Sequence, residues 1–121
     1  MNRIVVVDDD ADIRSLVARR LERAGHVVSE VEDGEGAIAA VHADLPDLVV
    51  LDWMMPGLTG IDVLERLRGE DPDRPRVLML TARAQESDVD RARAAGADGF
   101  LIKPFTGPEL LEAVGALLDP A

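Results

Sequence analysis

Short apolar runs alternate along this chain with longer segments whose apolar residues recur every three to four positions. The runs are Ile4 to Val7, His26 to Val31, Leu48 to Leu51, Val77 to Leu80 and Phe100 to Ile102. Short apolar stretches of this kind suit strands buried on both faces of a parallel sheet. His26 to Val31 differs, because Ser29 and Glu30 break the run, and it reads as an edge strand.

The intervening segments carry helical spacing. Ile13, Leu16, Val17, Leu21 and Ala24 predict one inward helix face, with Asp9 or Asp10 as cap and Gly25 as stop. After Asp33-Gly34, the residues Ala37, Ile38 and Val41 predict a shorter helix that Pro46 ends. Gly60 to Arg68 places Ile61, Leu64 and Leu67 on one side, with Gly69 beyond the helix end. Ser87 is expected to cap the next helix, whose inward face is thin (Val89, Ala92 and Ala95) and which Gly96 closes. Thr106-Gly107-Pro108-Glu109 has the form of a capping box, ahead of Leu110, Leu111, Val114, Leu117 and Leu118. Asp119-Pro120-Ala121 then stops the last helix.

Strand and helix alternate throughout, with short connections and no internal repeat. That order predicts right-handed crossovers and a parallel sheet covered by helices on both faces. Residues 1–121 therefore read as one doubly wound α/β domain.

Composition narrows the chemistry. With 13 basic and 24 acidic side chains the net charge is −11, so the basic footprint of a nucleic-acid or anionic-membrane binder is missing. The chain has no cysteine, which excludes disulfides and thiolate metal sites. No apolar run approaches the ~18 residues of a membrane span, and Met1-Asn2-Arg3 leads straight into a strand, so a cytoplasmic location is expected. Lys103 is the only lysine, and it directly follows the fifth apolar run.

Polar groups stand where the runs end: Asp8 and Asp9 after the first, Asp52 after the third, Thr81 after the fourth and Lys103 after the fifth. In a parallel sheet these ends share one edge, the edge at which open α/β sheets bind ligands. Carboxylates gathered there form a hard-oxygen site suited to magnesium. Without a cation, two charges ~5 Å apart repel by roughly 3 kcal/mol at an effective dielectric of ~20.

Together, Val-Val-Val-Asp-Asp-Asp (5–10), Leu-Asp-Trp-Met-Met-Pro-Gly-Leu-Thr-Gly (51–60), Leu-Thr-Ala (80–82) and Lys-Pro-Phe (103–105) resemble the receiver domains of two-component response regulators. The resemblance runs from Ile4 to about Leu118. It implies a flavodoxin-like five-stranded sheet of order 2-1-3-4-5 with five helices, the arrangement for which a chemotaxis receiver is a standing example. It implies Asp52 as phosphoacceptor, taking a phosphoryl group from a phosphohistidine on a sensor histidine kinase or phosphotransfer protein. It further implies magnesium held by Asp9, Asp52 and the Met54 backbone carbonyl, with Asp8 acting through water. Lys103 and Thr81 would contact phosphoryl oxygens, and the Lys103-Pro104 peptide would be cis. Phe100 matches an aromatic switch position, and it could equally be a permanent core residue. Trp53, the sole tryptophan, adjoins Asp52 and is placed to cover the site. Met54 and Arg83 fall at positions that tune phosphoryl lifetime in the family. The output surface would be the helix after Thr81, the fifth strand and the last helix. Glu109 to Leu118 lacks the Arg and Lys that help DNA-binding members pair, which points to a monomer or weak dimer with an unknown output partner.

Other classes fit less well. A magnesium-dependent phosphatase with an aspartyl nucleophile needs an acid two residues later, where this chain has Met54. The expectation is a domain that catalyses only its own phosphorylation and dephosphorylation, not an enzyme with a separate substrate. A flavin or nucleotide binder would need glycines in the first loop, where Asp8-Asp9-Asp10 repels phosphate. The alternative is a receiver-like module that binds partners without phosphorylation.

Overall fold

Every apolar run forms a strand in the computed structural model, which describes residues 2–82 and 85–118. The elements are β1 (Arg3–Val7), α1 (Ala11–Arg23), β2 (Val27–Val31), α2 (Gly34–Asp44), β3 (Leu48–Asp52), α3 (Gly60–Glu70), β4 (Arg76–Thr81), α4 (Glu86–Ala94), β5 (Gly99–Ile102) and α5 (Gly107–Leu118). All four strand pairings are parallel, and the order is β2-β1-β3-β4-β5. This is the flavodoxin-like sheet that the resemblance implied, with β2 at an edge as its broken pattern predicted.

Alternation along the strands divides the core into two layers. Val5, Val7, Val49, Leu51, Val77 and Met79 pack with α2 and α3 residues such as Ala37, Val41, Leu64 and Leu67. Ile4, Val6, Leu48, Val50, Leu78 and Leu80 pack with Val17 and Leu21 of α1 and with Leu110 and Val114 of α5. β1 and β3 are buried on both faces because each is flanked by strands and covered twice, which is why they show no alternation in sequence.

Helix ends depart from expectation in instructive ways. Asp10, rather than Asp9, caps α1, its carboxylate accepting from the Asp12 and Ile13 amides at 2.9 and 3.2 Å. Substituting Asp10→Ala should cost about 1 kcal/mol in urea unfolding. No loss of stability would mean that neighbouring turns already hold the helix start. Leu16 is 49% exposed, not inward: the buried arc centres on Val17, Ala18 and Leu21, and Leu16 lies beyond its edge. α3 runs past Gly69 to Glu70, because the Asp71 amide still reaches the Leu67 carbonyl and Asp71-Pro72 supplies the stop. Ser87 lies inside α4; the cap position is Gln85, with no side-chain bond to the helix. The Thr106–Glu109 capping box forms as expected, and a second one, Thr59–Asp62, opens α3. Arg83 and the stop at Asp119-Pro120-Ala121 lie outside the described residues.

The N-terminal edge of the sheet is tied by a polar knot. Arg68 of α3 donates to the Gly96 carbonyl at 3.0 Å and to Asp98 at 2.8 Å, and Asp98 also accepts from the Val77 amide at 2.9 Å. These bonds join α3, the turn after α4 and the start of β4, leaving the opposite edge for chemistry.

Candidate functional site

The same alternation that builds the core aims the polar groups. Asp8 and Asp52 continue the side of the sheet occupied by Val6 and Val50, and the Val7–Leu51 register sets them next to each other. Both are buried, at 1% and 4% exposure. Lys103 lies two residues beyond Leu101, on that same side, and extends across β4 to reach them. Its ammonium stands 3.1 Å from Asp8 Oδ2 and 3.1 Å from Asp52 Oδ1. The Lys103–Pro104 peptide is cis, as the resemblance implied. The Lys103 amide also donates to the Thr81 carbonyl at 2.8 Å, which carries the β4–β5 pairing up to the site.

Asp9 completes the cluster from the exposed side. One oxygen each from Asp8, Asp9 and Asp52 lies within 4.8 Å of the others. Three carboxylates against one ammonium leave the site electrostatically unbalanced, and the titration of Asp52 registers this. Burial, then the charge of Asp8, pushes its carboxyl from the ordinary 3.8 to about 6, against the pull of Lys103; Asp9 adds a smaller push. For Lys103, burial draws the ammonium down, but the charges and hydrogen bonds of Asp52 and Asp8 outweigh it and hold it above its ordinary value. An all-oxygen donor set with surplus negative charge fits a hard divalent cation.

Thr81 and Trp53 fall on the other side of the alternation. Thr81 is buried at the end of β4, and Trp53 is buried with its amide donating to the Leu80 carbonyl at 2.9 Å. Phe100 is half-buried and meets Trp53 edge to face, with ring centroids 6.3 Å apart and planes at 89°. It belongs to the α2–α3 core layer in this conformation. Met54 is 58% exposed on the loop that follows. That loop folds back so tightly that a Cβ on Gly60 would sit 2.5 Å from the Asp52 carbonyl oxygen, which only glycine tolerates. His42 is far from this edge, pairing with Glu70 between α2 and α3 at 2.6 Å.

Arg14 was not singled out by the sequence, yet it contacts the site's framework. Its guanidinium donates to the Asp8 carbonyl at 2.9 Å and meets Glu30 at 3.4 Å. The available signal was an arginine one helical turn after the acidic run, which is too common on helices to stand out.

Comparison with known proteins agrees with this fold. The model of the response regulator receiver domain matches residues 4–115. The chain is similar to the phosphate regulon transcriptional regulatory protein PhoB of Rhizobium meliloti, 41% identical over 120 residues, covering 98% of this chain and 53% of that protein. It is 45% identical over 116 residues to the response regulator MprA of Mycobacterium tuberculosis, covering 96% of this chain and 50% of that protein. It thus spans about half the length of the curated relatives it matches. Among solved structures, a chemotaxis response regulator of Vibrio cholerae superposes with a TM-score of 0.92 at 31% identity, over 98% of this chain and 99% of that one. A Francisella response regulator receiver domain gives 0.93 at 30% identity, over 99% and 98%.

Proposed function

The chain belongs to the response regulator receiver domain family, and from that premise we propose that it is switched by a phosphoryl group accepted on Asp52. The observation that carries the proposal is the contact of one lysine with two buried carboxylates, one of which titrates near 6. In the proposed step an Asp52 oxygen attacks the phosphorus of a phosphohistidine in line with the scissile bond. The O–P bond forms, the P–N bond breaks, and the imidazole nitrogen leaves with the electron pair. Such transfers depend on positioning and on neutralising the equatorial oxygens.

Lys103 would shift from the Asp52 oxygen toward a phosphoryl oxygen, and the Thr81 hydroxyl would hydrogen-bond another. Asp9, Asp52 and the Met54 carbonyl would hold magnesium, with Asp8 acting through water. When bound, the ion neutralises phosphoryl oxygens and offsets the carboxylate repulsion. With Met54 where a phosphatase needs an acid, the acyl phosphate would persist long enough to signal. A sensor histidine kinase or phosphotransfer protein is the proposed donor. The name of the relative PhoB, a transcriptional regulatory protein, makes transcriptional control a proposed output for any longer protein that contains this domain. α4, with Ala92 as its one fully buried apolar residue, Val89 half-buried and no side-chain cap, is the proposed moving element.

The test is the intact mass after incubation with magnesium and a small acyl-phosphate donor. Wild type should gain one phosphoryl group and Asp52→Ala none. An unchanged wild-type mass in folded protein would favour the phosphorylation-independent binding module, and modification of both proteins would move the nucleophile elsewhere. In the same phosphorylated sample, hydrogen exchange in α4 should change; identical protection would remove α4 from the switch.

A further inference from the structure

The acidic turn is pinned at many points, and one of the pins comes from outside it. At its first residue, the Asp8 amide continues the sheet by donating to the Val31 carbonyl at 3.1 Å, and the Asp8 carboxylate accepts from the Asp10 amide at 2.9 Å. At its last residue, the Asp10 carboxylate caps α1. Between them lies Asp9, exposed, on backbone held at both of these neighbours. The Asp8 carbonyl is the backbone group at the pivot, and it is held by a side chain, Arg14 Nη1 at 2.9 Å. The guanidinium also pairs with Glu30 on β2 at 3.4 Å, and the Arg14 side chain is only 18% exposed. Arg14 thus ties α1 and β2 to the turn that carries Asp9.

We infer that Arg14 is a positioning residue for the cation site, acting through the Asp8 carbonyl to hold the Asp8 and Asp9 carboxylates within reach of one ion. This rests on the reading of Asp8, Asp9 and Asp52 as a magnesium site. The forked shape of a guanidinium suits this role, since one nitrogen serves the carbonyl while another meets Glu30. Partners behind the groups that bind a metal typically change its affinity by about 10- to 100-fold.

Charge alone makes the opposite prediction, which gives the experiment its power. A positive guanidinium near the site repels a cation, so if Arg14 acted only electrostatically its removal would tighten magnesium binding. If Arg14 positions the turn, removal weakens it. The measurement is a calorimetric titration of the full chain with magnesium chloride, beside urea unfolding of the metal-free proteins. Arg14→Met should raise the magnesium Kd about tenfold or more. Arg14→Lys, which keeps the charge but supplies one compact donor, should fall between it and wild type. Glu30→Gln, which leaves the Asp8 carbonyl bond in place, should have a smaller effect than Arg14→Met while the metal-free protein stays folded. Magnesium binding that is unchanged or tighter in Arg14→Met overturns the inference about Arg14 and leaves the cation site standing. Absence of magnesium binding in wild type overturns both. If Arg14→Met unfolds, an Arg14→Lys protein that binds magnesium as wild type does also overturns the inference.

Discussion

Asp52→Asn should make the metal-free protein more stable at neutral pH, by about 2 to 3 kcal/mol, while leaving stability near pH 4 almost unchanged. In the folded state the Asp52 carboxyl keeps its proton up to about pH 6; in the unfolded chain it loses it near 3.8. Between those values the folded state binds more protons, so the stability of wild type falls as pH rises. The difference of about two units corresponds to about 3 kcal/mol, fully developed above pH 6 and absent below both values. The amide removes this cost, but Lys103 then loses one of its two carboxylate partners, which trims the gain. Asp62, Asp71 and Glu109 titrate in the opposite sense, held low by backbone amide bonds, yet they are common to both proteins and cancel. Urea unfolding with a chelator at both pH values measures the effect. An advantage for Asp52→Asn that is equal at the two pH values would show that burial of charge is not its source.

Magnesium should remove the same penalty in wild type without mutation. An ion that binds only the folded state at about 100 times its Kd contributes about 2.7 kcal/mol, on the order of 10 °C in melting temperature for a chain of this size. Asp9→Ala should abolish that rise. Asp9 is exposed and contributes to the charge cluster rather than to the core, so the variant should fold. Retention of the rise by Asp9→Ala would place magnesium elsewhere on this acidic protein. The two experiments are linked: if frustration at Asp52 is what the ion relieves, Asp52→Asn should gain stability on its own and respond little to magnesium.

The groups converging at the site were legible because they end buried strands, and strand ends in a parallel sheet have nowhere else to meet. Asp8 and Asp52 needed only a period of two and a shared direction. Lys103 was legible as a lone lysine after an apolar run; that it spans β4 to touch both carboxylates depends on a register that sets Asp52 level with Leu80 and Leu101, two residues short of Lys103. Helix details were read less well, for local reasons. Leu16 satisfied a spacing rule but missed an arc set by Val17, Ala18 and Leu21. Ser87 competed with Gln85 for one cap, and a chain that needs only the Gln85 carbonyl leaves the serine unused. Arg14 escaped notice because its partner is a backbone carbonyl, which no side-chain motif records. The pairing of Trp53 with Phe100 brings the residue just past β3 against β5, two strands separated in the sheet by β4.

That last contact has an optical consequence. The chain contains one tryptophan and no tyrosine, so its near-ultraviolet absorbance and emission arise almost wholly from a single indole. This chromophore directly follows the proposed phosphoacceptor and meets the Phe100 ring edge to face. An unlabelled sample in a fluorimeter therefore observes one location, without tyrosine background and without a dye that could disturb the site.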